Sequence, residues 1–215
     1  MKKHKDILWG IGLVLVATFA VILLAASSGS KPTDQTATLS DTIRDWERGS
    51  KGSPVTLVEY SDFQCPACAY YYPLVEKINE EFGDRITFVY RHFPLTQIHA
   101  HAEAAARAAE AAGKQDKFWE MYALLFENQE TWSSAADAEE IFRGYALKLG
   151  LNGEQFKAAL QSKETKEKIR SDYASGIASG VQGTPTFFLN GKKIENPRSY
   201  EEFKAIILNA INEKS

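Results

Sequence analysis

Sulfur is scarce in this chain. Its 215 residues hold two methionines and two cysteines, and the cysteines, Cys65 and Cys68, stand three positions apart in "DFQCPACAYYYPLVEKI". So short a spacing argues against a structural crosslink. A loop of about four residues gains only roughly 2 kcal/mol from closure before strain is subtracted. A chain that is 44% hydrophobic and this long can bury an ordinary core without it. A structural zinc site is equally short of material. Four ligands are usual, and beyond the one pair only His92, His99 and His101 stand outside the amino-terminal tail. No metal site and no cofactor is therefore expected. Basic charge is lacking as well. The formal net charge is −3, and beyond residue 26 the balance is 22 basic against 27 acidic residues. Nucleic-acid binding, which needs clustered Lys and Arg, is excluded on that ground. The stretch "KETKEKIR" (163–170) mixes both signs at helical spacing and reads as a solvated helix face.

One long apolar run is present. Residues 7–26 carry no charge and follow Lys2, Lys3 and Lys5. Twenty helical residues span about 30 Å, the thickness of a hydrocarbon core. The lysines place the amino terminus inside and the remainder outside. A cleaved signal peptide is the competing reading, but its apolar region normally runs about 7–15 residues. The expectation is a single-pass transmembrane anchor over residues 1–26, with the remainder extracytoplasmic under either reading. Residues 27–40 are small and polar, a linker composition. Outside the cytosol disulfides form and persist, which gives an isolated cysteine pair a redox meaning.

The domain then occupies residues 41–215. A short helix is expected over 41–48, ahead of Gly49. "PVTLVEY" (54–60) reads as a strand, "CPACAYYYPLVEKINEEFG" as a helix with Pro66 in its first turn and a kink at Pro73, and "RITFVYRHF" (85–93) as a second strand. A parallel pair with a right-handed crossover is the expected result. A helical block covers about 98–179. It includes "KQDKFWEMYALLFENQ", with Phe118, Tyr122, Leu125 and Phe126 on one face, and a segment opening at Asn152 and Gln155 with capping-box spacing. "TPTFFLNGKKIEN" predicts a hairpin at Asn190-Gly191, and a closing helix runs over 199–211. The fold class is α/β: β-α-β, a helical insertion, then β-β-α.

The strand-to-helix junction puts Cys65 at or next to the N-cap, where free N–H groups and the helix dipole favour an anion. Its thiol should ionise readily, and the thiolate is the attacking species. Cys68, one turn on, lies on the same side and can resolve a mixed disulfide. A Cys-x-x-Cys in a β-α-β unit reads as a thioredoxin-like redox site. His92 reads as a satisfied structural histidine, and His99 and His101 as facing solvent or the cap of the next helix. Phe63, Pro66 and Ala67 are candidates for the apolar lip that a client would touch. Trp119 and Trp132 read as core.

On "VEYSDFQCPAC", "YRHFPL", the alanine-rich "HAEAAARAAEAAG" through "FWEMYALLFENQ", and "GTPTFFLNG", the chain resembles the DsbA family of thiol–disulfide oxidoreductases, in its exported or membrane-tethered form. The resemblance spans about residues 55–191. It implies a thioredoxin fold with a helical insertion. It also implies a cis-proline at Pro185 facing the redox pair, with the backbone of Thr184 open to pair with substrate. Glu59, six positions before Cys65, corresponds to the buried acid beneath the resolving cysteine, a proton acceptor for Cys68; the alternative from sequence is an edge carboxylate facing water. Clients would be reduced, exported polypeptides, reoxidation would fall to a quinone-coupled membrane thiol oxidase, and the domain would act as a monomer. The chain departs from the best-known pattern at Ala67, where a histidine often helps hold the thiolate. The alternatives are a reductase of the same fold, as in cytochrome maturation, and a thioredoxin-fold copper carrier, since soft thiolates suit copper(I).

Overall fold

The computed structural model describes residues 45–214. The expected anchor over 1–26 and the linker over 27–40 lie outside them. Among the described residues no helix is long and apolar enough to cross a membrane.

Two β-branched, apolar segments make the centre of the sheet. Strands β2 (Thr56–Ser61) and β3 (Thr87–His92) pair in parallel, Glu59 beside Tyr90. Helix α1 (Pro66–Phe82) crosses between them and runs through Pro73 as one element. Strand β1 (Trp46–Gly49) pairs antiparallel with β3, β4 (Thr186–Leu189) antiparallel with β2, and β5 (Lys192–Lys193) with β4, giving the order β1-β3-β2-β4-β5. Asn190 (φ 50°) and Gly191 (φ 79°) take the left-handed conformations that the tight hairpin between β4 and β5 requires.

Between the two halves lie α2 (Ala102–Gly113), α3 (Phe118–Glu127), α4 (Gln129–Ser133), α5 (Ala138–Lys148), α6 (Gly153–Gln161) and α7 (Lys163–Ala178); α8 (Tyr200–Asn212) closes the chain. The cap expected at Asn152 is present, its side chain accepting from Gln155 N at 2.9 Å. One sheet face carries Leu57, Phe88 and Tyr90 into a core shared with α1 and α3, where Phe118, Tyr122, Leu125 and Phe126 are all buried. The other carries Val58, Tyr60, Val89 and Phe188 toward α7. There Gly176 permits close approach, because a Cβ would stand 2.7 Å from the Phe93 ring.

Two expectations are corrected. Of the helix expected over 41–48, the described part is instead strand β1. Its pairing with β3 is reinforced by Trp46, whose ring stacks on Phe118 at 4.3 Å and whose Nε1 donates to Glu110. Tertiary pairing outweighs local helix propensity here. Nor is the 163–170 stretch wholly solvated. Thr165 and Ile169 face inward, and Lys168 is buried with Nζ 2.5 Å from Asp172 Oδ1 and 3.5 Å from Asp45 Oδ1. Asp172 in turn accepts from the backbone N–H of His92, so α7 turns a paired charge toward β3. A buried lysine is tolerated because it is paired.

Candidate active site

The end of β2 delivers the chain into a turn organised by Asp62. Its carbonyl accepts from Cys65 N (3.0 Å) and its Oδ1 from Gln64 N (2.8 Å), which sets Cys65 at the N-cap of α1. Pro66 comes next, at the first helical position, where it forfeits no hydrogen bond. Both cysteines are free thiols. They are unequal in access: Cys65 retains 7% exposure and Cys68 none.

Their chemistry divides accordingly. The Cys65 thiol is held down to about 5, first by the hydrogen bond that Cys68 gives its sulfur, and further by the Thr184 hydroxyl and the backbone N–H groups of Cys68 and Ala67. Burial opposes this and is outweighed. The Cys68 thiol is pushed well up, by burial first and then by the proton it lends to Cys65 and the charges of Cys65 and Glu59. Only Cys65 is therefore a thiolate at neutral pH. The Cys68 hydrogen bond, with the backbone N–H groups of the first helical turn, thus supplies the stabilisation that a histidine at position 67 would have shared.

Across the site, the Thr184–Pro185 peptide bond is cis, and Cys65 Sγ stands 3.4 Å from Thr184 O, within reach of a hydrogen bond only while the thiol is protonated. Thr184 is half-buried, Pro185 buried, and Pro66 and Ala67 exposed. Beneath the pair, Glu59 is 2% exposed, so its placement excludes an edge carboxylate facing water. Burial pushes its carboxyl up to about 7, against the opposing pull of Ser61 and Arg48.

Phe63 is corrected. Only 1% exposed and packed on Tyr90 (5.1 Å) and Phe126 (5.0 Å), it belongs to the core and cannot line a docking lip. Its apolar ring fills the space beneath the turn. His99 is corrected too: its Nδ1 stands 2.7 Å from Asp62 Oδ2, which also accepts from Leu95 N. This ties the loop after β3 to the cysteine turn. His92 is buried with Nε2 2.9 Å from Glu110 Oε1. Two site residues were not read from sequence. Asp62 N donates to Cys68 Sγ at 3.5 Å. Gln129, on the short helix α4 within the expected helical block, donates to the carbonyls of Phe63 (2.7 Å) and Cys65 (3.0 Å). Nothing local in the sequence marks Gln129, since it acts across a separation of more than sixty residues.

With this arrangement in place, a family model described as thioredoxin matches residues 41–209. The chain belongs to the thioredoxin family. As a thioredoxin-family chain it carries a helical block between the two halves of the fold, the DsbA-like α/β arrangement expected from the sequence. Among solved structures it is similar to alpha-DsbA1 of Wolbachia pipientis, with a TM-score of 0.70 and 21% identity, over 79% of this chain and 92% of that one. It is also similar to BdbD from Bacillus subtilis, with a TM-score of 0.65 and 26% identity, over 77% and 92%. Among curated proteins it is 38% identical over 170 residues to Na(+)/H(+) antiporter NhaA 3 of Salinispora tropica, covering 79% of this chain but 25% of that one. An NhaA antiporter of Herminiimonas arsenicoxydans is 34% identical over 207 residues, 32% of its length. The thioredoxin-family chain thus spans about a quarter to a third of these curated relatives.

Proposed function

We propose that this chain is an extracytoplasmic thiol–disulfide oxidoreductase that passes the Cys65–Cys68 disulfide to reduced cysteines in exported polypeptides. The observation that carries this reading is the inequality of the two thiols at the start of α1. A client thiolate attacks the accessible sulfur, Cys65, and Cys68 leaves beneath it. An extended client segment would pair with the backbone of Thr184, in the manner of strand addition, over the exposed rim of Pro66 and Ala67. Residues 1–26 would anchor the domain at the outer face of the cytoplasmic membrane. A quinone-coupled thiol oxidase in that membrane would restore the disulfide, and the domain would work as a monomer.

Linkage favours one direction of flow. A thiolate held at about 5 stabilises the dithiol over the disulfide. Relative to an ordinary thiol near 8.5, this amounts at pH 7 to a factor of at most about 100, or about 60 mV on a two-electron couple. That favours giving the disulfide away. The deciding measurement is the reduction potential of the full-length chain in glutathione buffers. A value toward about −120 mV supports the oxidase, whereas one near −270 mV means that the protein reduces its partners.

With Cys68→Ser the Cys65 thiolate should still attack the disulfide of an oxidised peptide, one peptide sulfur leaving as thiolate, but its neighbour can no longer release it. The expected outcome is accumulation of mixed disulfides, seen as bands on non-reducing gels that collapse with reductant. Their absence would remove Cys68 as the resolving residue.

A further inference from the structure

Asp62 is buried, and every one of its polar atoms is engaged. Its two backbone groups serve the redox pair. The carbonyl accepts from Cys65 N at 3.0 Å, and the N–H donates to Cys68 Sγ at 3.5 Å. Its carboxylate faces the other way. Oδ1 accepts from Gln64 N at 2.8 Å, while Oδ2 accepts from Leu95 N at 2.9 Å and stands 2.7 Å from His99 Nδ1. Opposite a carboxylate, Nδ1 is the ring nitrogen that carries the hydrogen and donates it. The Asp62 side chain has no exposure and that of His99 15%. A carboxylate is tolerated at such depth because both oxygens have donors, and those donors fix it in place.

Holding the side chain at both oxygens leaves residue 62 little freedom to turn, so its N–H stays aimed at Cys68 Sγ. That aim matters because of what the sulfur undergoes. Cys68 has no exposure, so bulk water cannot solvate a charge on it. The Glu59 charge opposes one as well. Yet when exchange opens the disulfide, Cys68 Sγ must take the electron pair of the broken bond. A preorganised N–H pointed at an atom where charge develops acts most strongly in the transition state, and a water-excluded site strengthens it. Toward a neutral Cys68 thiol the same N–H contributes little, because an uncharged sulfur is a weak acceptor.

We propose that Asp62 is a catalytic residue through its backbone, its N–H receiving the charge that develops on Cys68 Sγ, and that His99 is the positioning residue that holds it there. This rests on the reading of Cys65 and Cys68 as an exchange pair. A client thiolate attacks Cys65 Sγ and a client–Cys65 disulfide forms. The Cys65–Cys68 bond breaks, and its electron pair goes to Cys68 Sγ beside the Asp62 N–H. In the reverse displacement the Cys68 thiolate attacks Cys65 Sγ, and the client sulfur leaves with the electron pair. No proton moves in either displacement. Both pass through one transition state, so the N–H speeds opening and closing alike and leaves their ratio where it was. His99 acts only through the Asp62 carboxylate, by way of the loop after β3.

The test times two steps in the full-length chain by acid quench: opening of the oxidised protein by a single-cysteine peptide, and closing of the mixed disulfide so formed. Asp62→Asn keeps the shape but turns one acceptor oxygen into a donor, which leaves Leu95 N or Gln64 N unmatched. It should slow opening and closing about tenfold each, the worth of one hydrogen bond to a charged group, with their ratio unchanged. His99→Ala should slow both about threefold. His99→Asn, whose amide nitrogen reaches the place of Nδ1, should restore them. Alkylation of Cys65 by iodoacetamide in the reduced protein should stay within about twofold throughout. Wild-type rates in folded Asp62→Asn and His99→Ala would overturn the assignment and leave the exchange reading intact. An equal loss in Cys65 alkylation, or a shifted ratio of opening to closing, would also overturn it, for that is disorder of the turn. A His99→Asn protein as slow as His99→Ala would remove His99 from the scheme. Absence of exchange in the wild type would overturn both readings. If Asp62→Asn does not fold, the two His99 variants decide alone.

Discussion

Replacing Cys65 with serine is expected to reduce disulfide transfer to the uncatalysed background, a loss of at least about 10³-fold at pH 7. Thiolate character sets the size of the loss. With its thiol held at about 5, Cys65 is almost wholly ionised at neutral pH. An ordinary thiol near 8.5 would be only about 3% ionised there. The serine hydroxyl has no such form and cannot enter a disulfide. The same placement sets a pH dependence. The Cys65 pKa is depressed in the folded protein, so it contributes stability to the dithiol form above about 5, growing toward the ordinary thiol range. That contribution is lost as pH falls through about 5. Alkylation of Cys65 by iodoacetamide should therefore be flat above about pH 6 and fall roughly tenfold per unit below 5. An alkylation midpoint near 8.5, or a Cys65→Ser protein that still oxidises a peptide at the normal rate, would defeat the assignment of Cys65 as the nucleophile.

The parts of the site legible in sequence are those fixed by local geometry. A strand, a Cys-Pro-x-Cys and a helix place Cys65 at an N-cap whatever the rest of the chain does. Asn190-Gly191 likewise demands its turn. What was not legible depends on packing between distant segments. Phe63 looks like an exposed rim residue beside a cysteine, yet its ring lies against Tyr90 of β3 and Phe126 of α3. Trp46 sits in a segment of helical composition, but its partners are Phe118 and Glu110, both more than sixty residues away. Lys168 has the look of a surface charge until Asp172 and Asp45 are seen beside it. Glu59 lies between these extremes. An acid interrupting an apolar strand signals something unusual, and only the sheet order, with β2 flanked by β3 and β4, shows that it is buried.

That burial makes Glu59 the site of the second large effect. Its folded-state value of about 7 lies above the ordinary 4.5, with burial the leading cause. The folded chain therefore binds this proton more tightly than the unfolded chain does. Stability from this group is full below about 4.5 and is lost as pH rises through about 7. The difference amounts to about 3 kcal/mol between pH 4 and pH 9, at about 1.4 kcal/mol per pKa unit. Glu59→Gln should abolish that decline, so its urea midpoint should stay level across the range where the wild type falls. The comparison belongs in the oxidised form, where neither thiol titrates. Glu59→Gln should also slow the step that moves the Cys68 proton by about 10²-fold, the lower end of what a positioned acid–base group contributes. A wild type whose urea midpoint is flat from pH 5 to 9 would show that Glu59 is not raised. A variant with level stability and an unchanged exchange rate would show a buried acid with no part in the chemistry. Greater stability at high pH together with slower exchange is the expected pairing, because an ionisable group that weakens this core is retained for the proton it moves.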